Sequence, residues 1–298
     1  MAASKDLKPF AQSTGESFWQ NRFRTKIKIL TPSQQLQGKM AIVTGSNSGL
    51  GWEASRQLLS LGLSHFIMAV RSKEKVEAVA SKLRSMFPES RIDIWMLDME
   101  SYHSITSFVQ RCRADLNRIH FAILNAGVVA QTFRTNPDTG HETMIQVNHL
   151  GTALLTILLS AVLAENSLVA EPARLTVVNS LTAHMCDFPH RSHRPLFSSF
   201  DDTSKTPWNT FERYGVSKLL NQMFPVQLTE LVKPDRVIIN MVEPGLTKGT
   251  KLGREGSSKL LLLVNSVFMG IAGGRSRSEL LRTWTRCSGM IRKRMGAF

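Results

Sequence analysis

A chain of 298 residues with 42% hydrophobic content can bury a substantial core and is still compatible with one α/β domain. Its three cysteines, Cys112, Cys186 and Cys287, are widely spaced and odd in number, which argues against a disulfide framework or a paired-cysteine zinc site and fits a reducing compartment. The net charge of +14 belongs to the flanks: residues 1–40 hold seven Lys/Arg against two Asp/Glu, residues 271–298 hold seven against one, and the stretch between carries only +3. Solvated basic ends account for this, and no nucleic-acid partner is expected.

The start, MAASKDLKPFAQSTGESFWQ, lacks the continuous apolar stretch of an export signal, so a cytoplasmic location is expected. The chain divides into a basic N-terminal extension (1–37), a nucleotide-binding catalytic domain (38–272) and a basic C-terminal tail (273–298). Strand-like runs at Met40–Thr44, His65–Val70, Arg91–Leu97, Ile119–Leu124, Arg174–Asn179 and Arg236–Met241 alternate with helical patterns. That alternation predicts an α/β fold with a Rossmann-type, doubly wound parallel sheet, in which a ligand lies beyond the carboxyl ends of the strands.

Residues 40–51 read MAIVTGSNSGLG, a strand, a turn with Gly45, Gly49 and Gly51, and a helix beginning near Leu50. Glycine permits the turn's backbone angles and lets main-chain N–H groups approach a pyrophosphate favoured at the helix N-terminus. Arg71, after the second strand, stands where a protein reading an unmodified ribose more often places an acid, and Lys73 follows it. A guanidinium suits a 2′-phosphate, so NADP(H) is preferred to NAD; the plain alternative is a solvated cation at a helix start. Asp98, after the third strand, is placed to accept from an adenine amine, to cap the helix beginning near Ser101, or to do both.

Further along, RYGVSKLLNQMF predicts a helix that puts Tyr214 and Lys218 on one face. A free phenol has a pKa of about 10, so it exchanges protons poorly at neutral pH unless a cation such as Lys218 stabilises its phenolate. The most apolar run, Leu260–Ala272, is thirteen residues, short of the roughly 20 that cross a bilayer. It reads as a core or substrate-covering helix, and with the basic tail it also fits a peripheral membrane contact.

These residues resemble the short-chain dehydrogenase/reductase family over roughly residues 38–250. The family's glycine turn is matched by Thr44-Gly45-Ser46-Asn47-Ser48-Gly49-Leu50-Gly51, and its Asn-Ala-Gly by Asn125-Ala126-Gly127; Asn148, Ser180, Tyr214 and Lys218 complete the pattern. The runs VNHLGTALLT and ERYGVSKLLN look most like retinol-dehydrogenase and WW-domain-oxidoreductase types and fungal secondary-metabolism reductases. The resemblance implies carbonyl reduction or alcohol oxidation with NADP(H) on a small, fairly apolar substrate, for example in a polyketide or terpenoid pathway. It implies Tyr214 as proton donor, Lys218 as the cation beside it that also holds the nicotinamide ribose, Ser180 as a hydrogen bond to the substrate oxygen, and Asn148 as anchor for a water. Singly, Ser180 reads equally as a strand end and Asn148 as a residue satisfying backbone groups in a buried helix.

The same resemblance places Pro244, Gly245 and Thr247 against the nicotinamide, makes the proline-containing stretch Leu181–Phe211 a loop beside the substrate, and implies a homo-oligomer. After Ala272 the family's seventh strand has no counterpart in the sequence. The second functional reading is therefore a catalytically impaired nucleotide-binding interaction protein on the same fold; the intact Asn148, Ser180, Tyr214 and Lys218 favour the enzyme.

Overall fold

The computed structural model describes residues 36–244, apart from positions 75 and 205. Within it six parallel strands form one sheet in the order β3-β2-β1-β4-β5-β6. They are β1 (Met40–Thr44), β2 (His65–Val70), β3 (Arg91–Met96), β4 (Phe121–Leu124), β5 (Ala173–Val178) and β6 (Val237–Val242). The Rossmann-type sheet expected from the sequence is present, and the order reverses between β1 and β4, which is where such a sheet opens its ligand crevice.

Side chains alternate across the sheet, so each strand feeds two cores. Ala41 and Val43 of β1 face Leu58 and Leu59 of α1 (Gly49–Ser60) and Ala80 and Leu83 of α2 (Glu77–Met86). Ile42 faces the other way, into a cluster with Phe108 and Val109 of α3 (Tyr102–Asp115) and Leu155, Leu159 and Val162 of α4 (Thr143–Glu165). Helix α4 is long and apolar enough to cross a membrane by composition, but those three side chains are fully buried in the core. Its early turns, Gln146–Gly151, are π-helical, a widening often found where a helix serves a site. The last described helix is α5 (Thr210–Leu228).

Strand boundaries differ from the sequence reading by a residue or two. Leu97 and Asn179 fall outside their strands, Val242 falls inside, and β4 begins at Phe121 because its ladder starts with the pair Ala41–Phe121. The Leu260–Ala272 run, the question of a seventh strand, and Gly245 and Thr247 lie outside the described residues.

Candidate active site

The glycine turn is built by close approach of three backbone segments. Gly45 and Gly49 sit at φ +62 and +55, a region that a side chain disfavours. A Cβ at Gly51 would overlap the Gly45 carbonyl and lie 2.7 Å from Asn125 Nδ2, so only glycine lets α1 start this close to β1. Asn125 ties the far side: its Nδ2 donates to Thr44 O at 3.1 Å and Gly45 O at 3.3 Å. The Thr44 hydroxyl accepts from Asn125 N at 2.9 Å and Ala126 N at 2.8 Å. The sequence signal that marks Thr44 is its position at the end of β1, facing a glycine turn.

This turn fits a dinucleotide. Ser46 is fully buried and its Oγ has no hydrogen-bond partner among the described residues. Ser48, the N-cap of α1, makes no side-chain cap bond, and the first turn carries no acid, so neither offsets the positive helix end. Asn47 and Leu50 lie within the same turn and helix start.

The second group of residues converges from β5, α4 and α5. Tyr214 and Lys218 share a face of α5, with the Lys218 ammonium 5.8 Å from the centre of the phenol ring. Tyr214 lies beside Ser180, which follows β5 and caps a short helical turn, Leu181–His184. Ser180 Oγ also accepts from the Thr182 hydroxyl at 3.0 Å. Gly215 makes the approach of α5 to this turn feasible, since a Cβ there would lie 2.8 Å from Thr182 O. Lys218 is buried and donates to Val178 O at 3.0 Å. A Cβ on Gly127 would sit 3.2 Å from Asn148 Oδ1 and 3.6 Å from Lys218 Nζ, which places the Asn-Ala-Gly turn against both.

Electrostatics here differ from the sequence expectation. Burial pushes the Tyr214 phenol up to about 12, opposed by the neighbouring Ser180 hydroxyl. The same desolvation brings Lys218 down to about 8. Desolvation dominates the phenol, and the Lys218 ammonium, which the sequence pattern pairs with it, is directed at Val178 O. The consequence is a phenol that stays protonated at neutral pH, as a proton donor must.

Asn148 does what the plain reading of its sequence position held. Its Oδ1 accepts from Val128 N at 2.8 Å, and its Nδ2 donates to Val128 O at 2.9 Å and Ser217 Oγ at 3.1 Å. Its side chain is therefore committed to protein partners, and its carbonyl accepts from Asn221 Nδ2. Asn221 also bonds His149 at 3.1 Å and accepts from Asn179 at its carbonyl at 3.4 Å, locking α4, α5 and the end of β5 together. Neither Asn221 nor Ser217 was singled out in the sequence, although Asn221 follows Lys218 by three residues on the same helix face.

The stretch between Ser180 and α5 is a loop with three short helical turns, Leu181–His184, Pro189–Ser192 and Phe197–Asp201. Arg213, one residue before Tyr214, anchors it. The buried guanidinium donates to Phe200 O at 2.7 Å, pairs with the buried Glu142 at 3.5 Å, and stacks 4.9 Å from the Phe200 ring. Glu142 in turn accepts from Met144 N and Ile145 N at the start of α4. Losing one member of such a buried pair typically costs about 3–5 kcal/mol, so this contact fixes the loop and both helices as one unit.

At the outer end of the crevice Arg71 follows β2 and pairs with Glu100 at 3.1 Å. Lys73 is exposed and lines a separate shallow cleft with Glu77, Arg84 and Asp93 along β3. Asp98 does not cap α3: Ser101 does, accepting from Ser104 N at 3.2 Å. The Asp98 carboxylate accepts instead from Glu100 N at 2.9 Å, because it sits three residues ahead of the N-cap, too early to reach the helix's own N–H groups. Pro244 closes the described chain two residues after β6.

Comparison with known proteins agrees with this arrangement. The short chain dehydrogenase family model matches residues 39–186. The chain is 42% identical over 276 residues to the short chain dehydrogenase/reductase mfmJ of Annulohypoxylon moriforme, spanning 92% of this chain and 79% of that one. It is 46% identical over 231 residues to the short chain dehydrogenase opdN of Penicillium oxalicum, spanning 75% and 74%. Among solved structures, the Pseudomonas aeruginosa RhlG/NADP active-site complex superposes with a TM-score of 0.62 at 19% identity over 85% of this chain and 90% of that one. An NADPH-dependent 3-quinuclidinone reductase from Rhodotorula rubra gives 0.60 at 18% over 88% and 91%. At that identity the solved structures bear on fold alone. The fold, the ordered motifs and these relatives place the chain in the short-chain dehydrogenase family of oxidoreductases, to which it belongs.

Proposed function

We propose that this protein is an NADP(H)-dependent reductase interconverting a ketone or aldehyde and its alcohol on a small, fairly apolar substrate, in fungal secondary metabolism. The observation that carries the reading is the grouping of Tyr214 and Ser180 with Lys218 buried behind them, at the carboxyl ends of the strands. Bound NADPH would supply hydride to the carbonyl carbon. Negative charge then develops on the carbonyl oxygen, and Tyr214 Oη gives it a proton while Ser180 Oγ–H hydrogen-bonds the same oxygen and orients it. Lys218, charged below about pH 8, stabilises the phenolate left behind and holds the nicotinamide ribose. A water anchored at Asn148 would share its carbonyl with Asn221 Nδ2, the side chain being engaged with Val128 and Ser217.

Gly45, Ser46, Asn47, Ser48, Gly49, Leu50 and Gly51 would hold the pyrophosphate, Asn125, Ala126 and Gly127 the adenosine-side ribose and nicotinamide face, Asp98 the adenine, and Pro244, Gly245 and Thr247 the carboxamide. Met185, exposed on the loop that follows Ser180, and Phe211, exposed in the first turn of α5, support an apolar substrate. The NADP held by the Pseudomonas complex, the NADPH dependence of the Rhodotorula reductase and the fungal origin of the relatives support the cofactor and the setting.

Arg71 carries the choice of NADP over NAD, Lys73 lining the separate cleft along β3. Arg71→Ala is expected to weaken NADPH binding by about tenfold or more, the worth of a charge-assisted phosphate contact, and NADH binding by less than about twofold. Fluorescence titration of both nucleotides checks this, and equal losses would remove Arg71 from 2′-phosphate recognition.

A further inference from the structure

Glu100 is shared by two arginines from different parts of the chain. Its Oε1 lies 3.1 Å from Arg71 Nη1 and 3.4 Å from Arg134 Nη2. Its carbonyl and Oε2 accept from Asn136 Nδ2 at 3.2 and 3.4 Å. The carboxylate is mostly buried, with 17% of its side chain exposed, whereas the two guanidinium groups are 58% and 61% exposed. Two cations over one carboxylate leave a net positive charge, with N–H donors on both arginines facing solvent. A bare salt-bridge network of this exposure contributes little to stability, about 0–1 kcal/mol per pair, so stability alone does not account for it.

Arg134 is held in place by its backbone. Its carbonyl accepts from Thr143 N at 2.9 Å and Thr143 Oγ1 at 3.0 Å, and Thr135 bridges to Glu142. The arginine is thereby fixed to the first residues of α4. Its Nε also donates to Thr143 Oγ1 at 3.3 Å, which steadies the guanidinium.

We propose that Arg134 and Arg71 together form the clamp for the cofactor's 2′-phosphate, with Glu100 the carboxylate that keeps the two forks in register. This rests on the reading that the cofactor is NADP(H) and that Arg71 meets its phosphate. The chemistry follows from charge: a phosphate monoester carries up to two negative charges and three acceptor oxygens, which two guanidinium groups match better than one. Glu100, bonded to both arginines, sets their spacing and repels a nucleotide docked without a compensating arginine contact.

The test is isothermal titration of 2′,5′-ADP and 5′-ADP into the wild type, Arg71→Ala, Arg134→Ala and Arg134→Lys. Arg134→Ala is expected to weaken 2′,5′-ADP by roughly tenfold and 5′-ADP by less than about twofold. Arg134→Lys, which keeps the charge and loses the fork, is expected to fall between the wild type and Arg134→Ala. Equal losses for the two nucleotides in Arg134→Ala, or no loss, would overturn the clamp. If Arg71→Ala discriminates and Arg134→Ala does not, the clamp alone falls. If the wild type itself fails to prefer 2′,5′-ADP, the NADP reading falls and takes the clamp with it.

Discussion

Replacing Tyr214 by Phe is expected to lower carbonyl reduction by about a thousandfold, within the 10²–10⁴ range of a lost general acid, while leaving nucleotide affinity within about twofold. The ring stays in its packing, so the fold is retained. Ser180 is not orphaned, because its Oγ still accepts from the Thr182 hydroxyl at 3.0 Å and from Thr182 N at 3.3 Å. What disappears is a phenol that desolvation holds near 12 and therefore protonated throughout the neutral range. Steady-state assays over a carbonyl panel, paired with NADPH titration, separate the two quantities; unchanged turnover in the variant would remove Tyr214 as the donor.

Lys218→Met is expected to change the pH dependence of stability as much as activity. Burial lowers the folded pKa of Lys218 to about 8 from an ordinary 10.5, so between these values the unfolded chain binds a proton that the folded chain does not. Stability from this group therefore rises with pH across that window, and below about pH 8 the cost of burying the ammonium is fully present. The full shift corresponds to roughly 3–4 kcal/mol, of which about 2–3 kcal/mol falls between pH 7 and pH 10. Met fills a similar volume without that cost, so its stability relative to wild type should be greatest near pH 7 and should shrink by about that amount toward pH 10. Cys112 and Tyr214, whose pKa values burial raises to about 12, weaken both proteins alike as pH climbs, and so cancel in the difference. Urea unfolding of both proteins at the two pH values measures it, and a difference independent of pH would show that Lys218 is not desolvated as described. Turnover should fall most below about pH 8, where Lys218 is charged and the variant lacks the cation beside the phenol.

Much of this architecture was legible because it is local. Alternating apolar runs and glycine turns fix strands and crossovers by periodicity, and the strand cores at Met40–Thr44 and His65–Val70 needed no correction. The ends that moved, at Leu97, Ile119 and Asn179, are set by which partner residue a ladder begins with, which a single strand does not encode. The convergence of Tyr214, Ser180, Lys218 and Gly127 followed from motif order.

What escaped the sequence reading are contacts between distant segments. Asn148 spends its side chain on Val128 and Ser217, twenty and sixty-nine residues away. Arg213 reads as an ordinary helix-start cation until Glu142 and Phe200 are placed around it. The Glu100 hub draws on three segments, and nothing in the run Met99–Ser101 announces it. Asp98 lost its capping role to Ser101 by a matter of geometry: an N-cap side chain reaches the N–H groups two or three residues on, and Ser101 is the residue at that distance.

The central claim is that Tyr214 protonates a carbonyl oxygen as its carbon receives hydride from NADPH. NADPH deuterated at the transferring C4 position, incubated with the protein and a ketone and aldehyde panel, is predicted to give an alcohol with deuterium on the carbinol carbon, at a rate that collapses in Tyr214→Phe. Nucleotide binding with no deuterated alcohol from any carbonyl would contradict it.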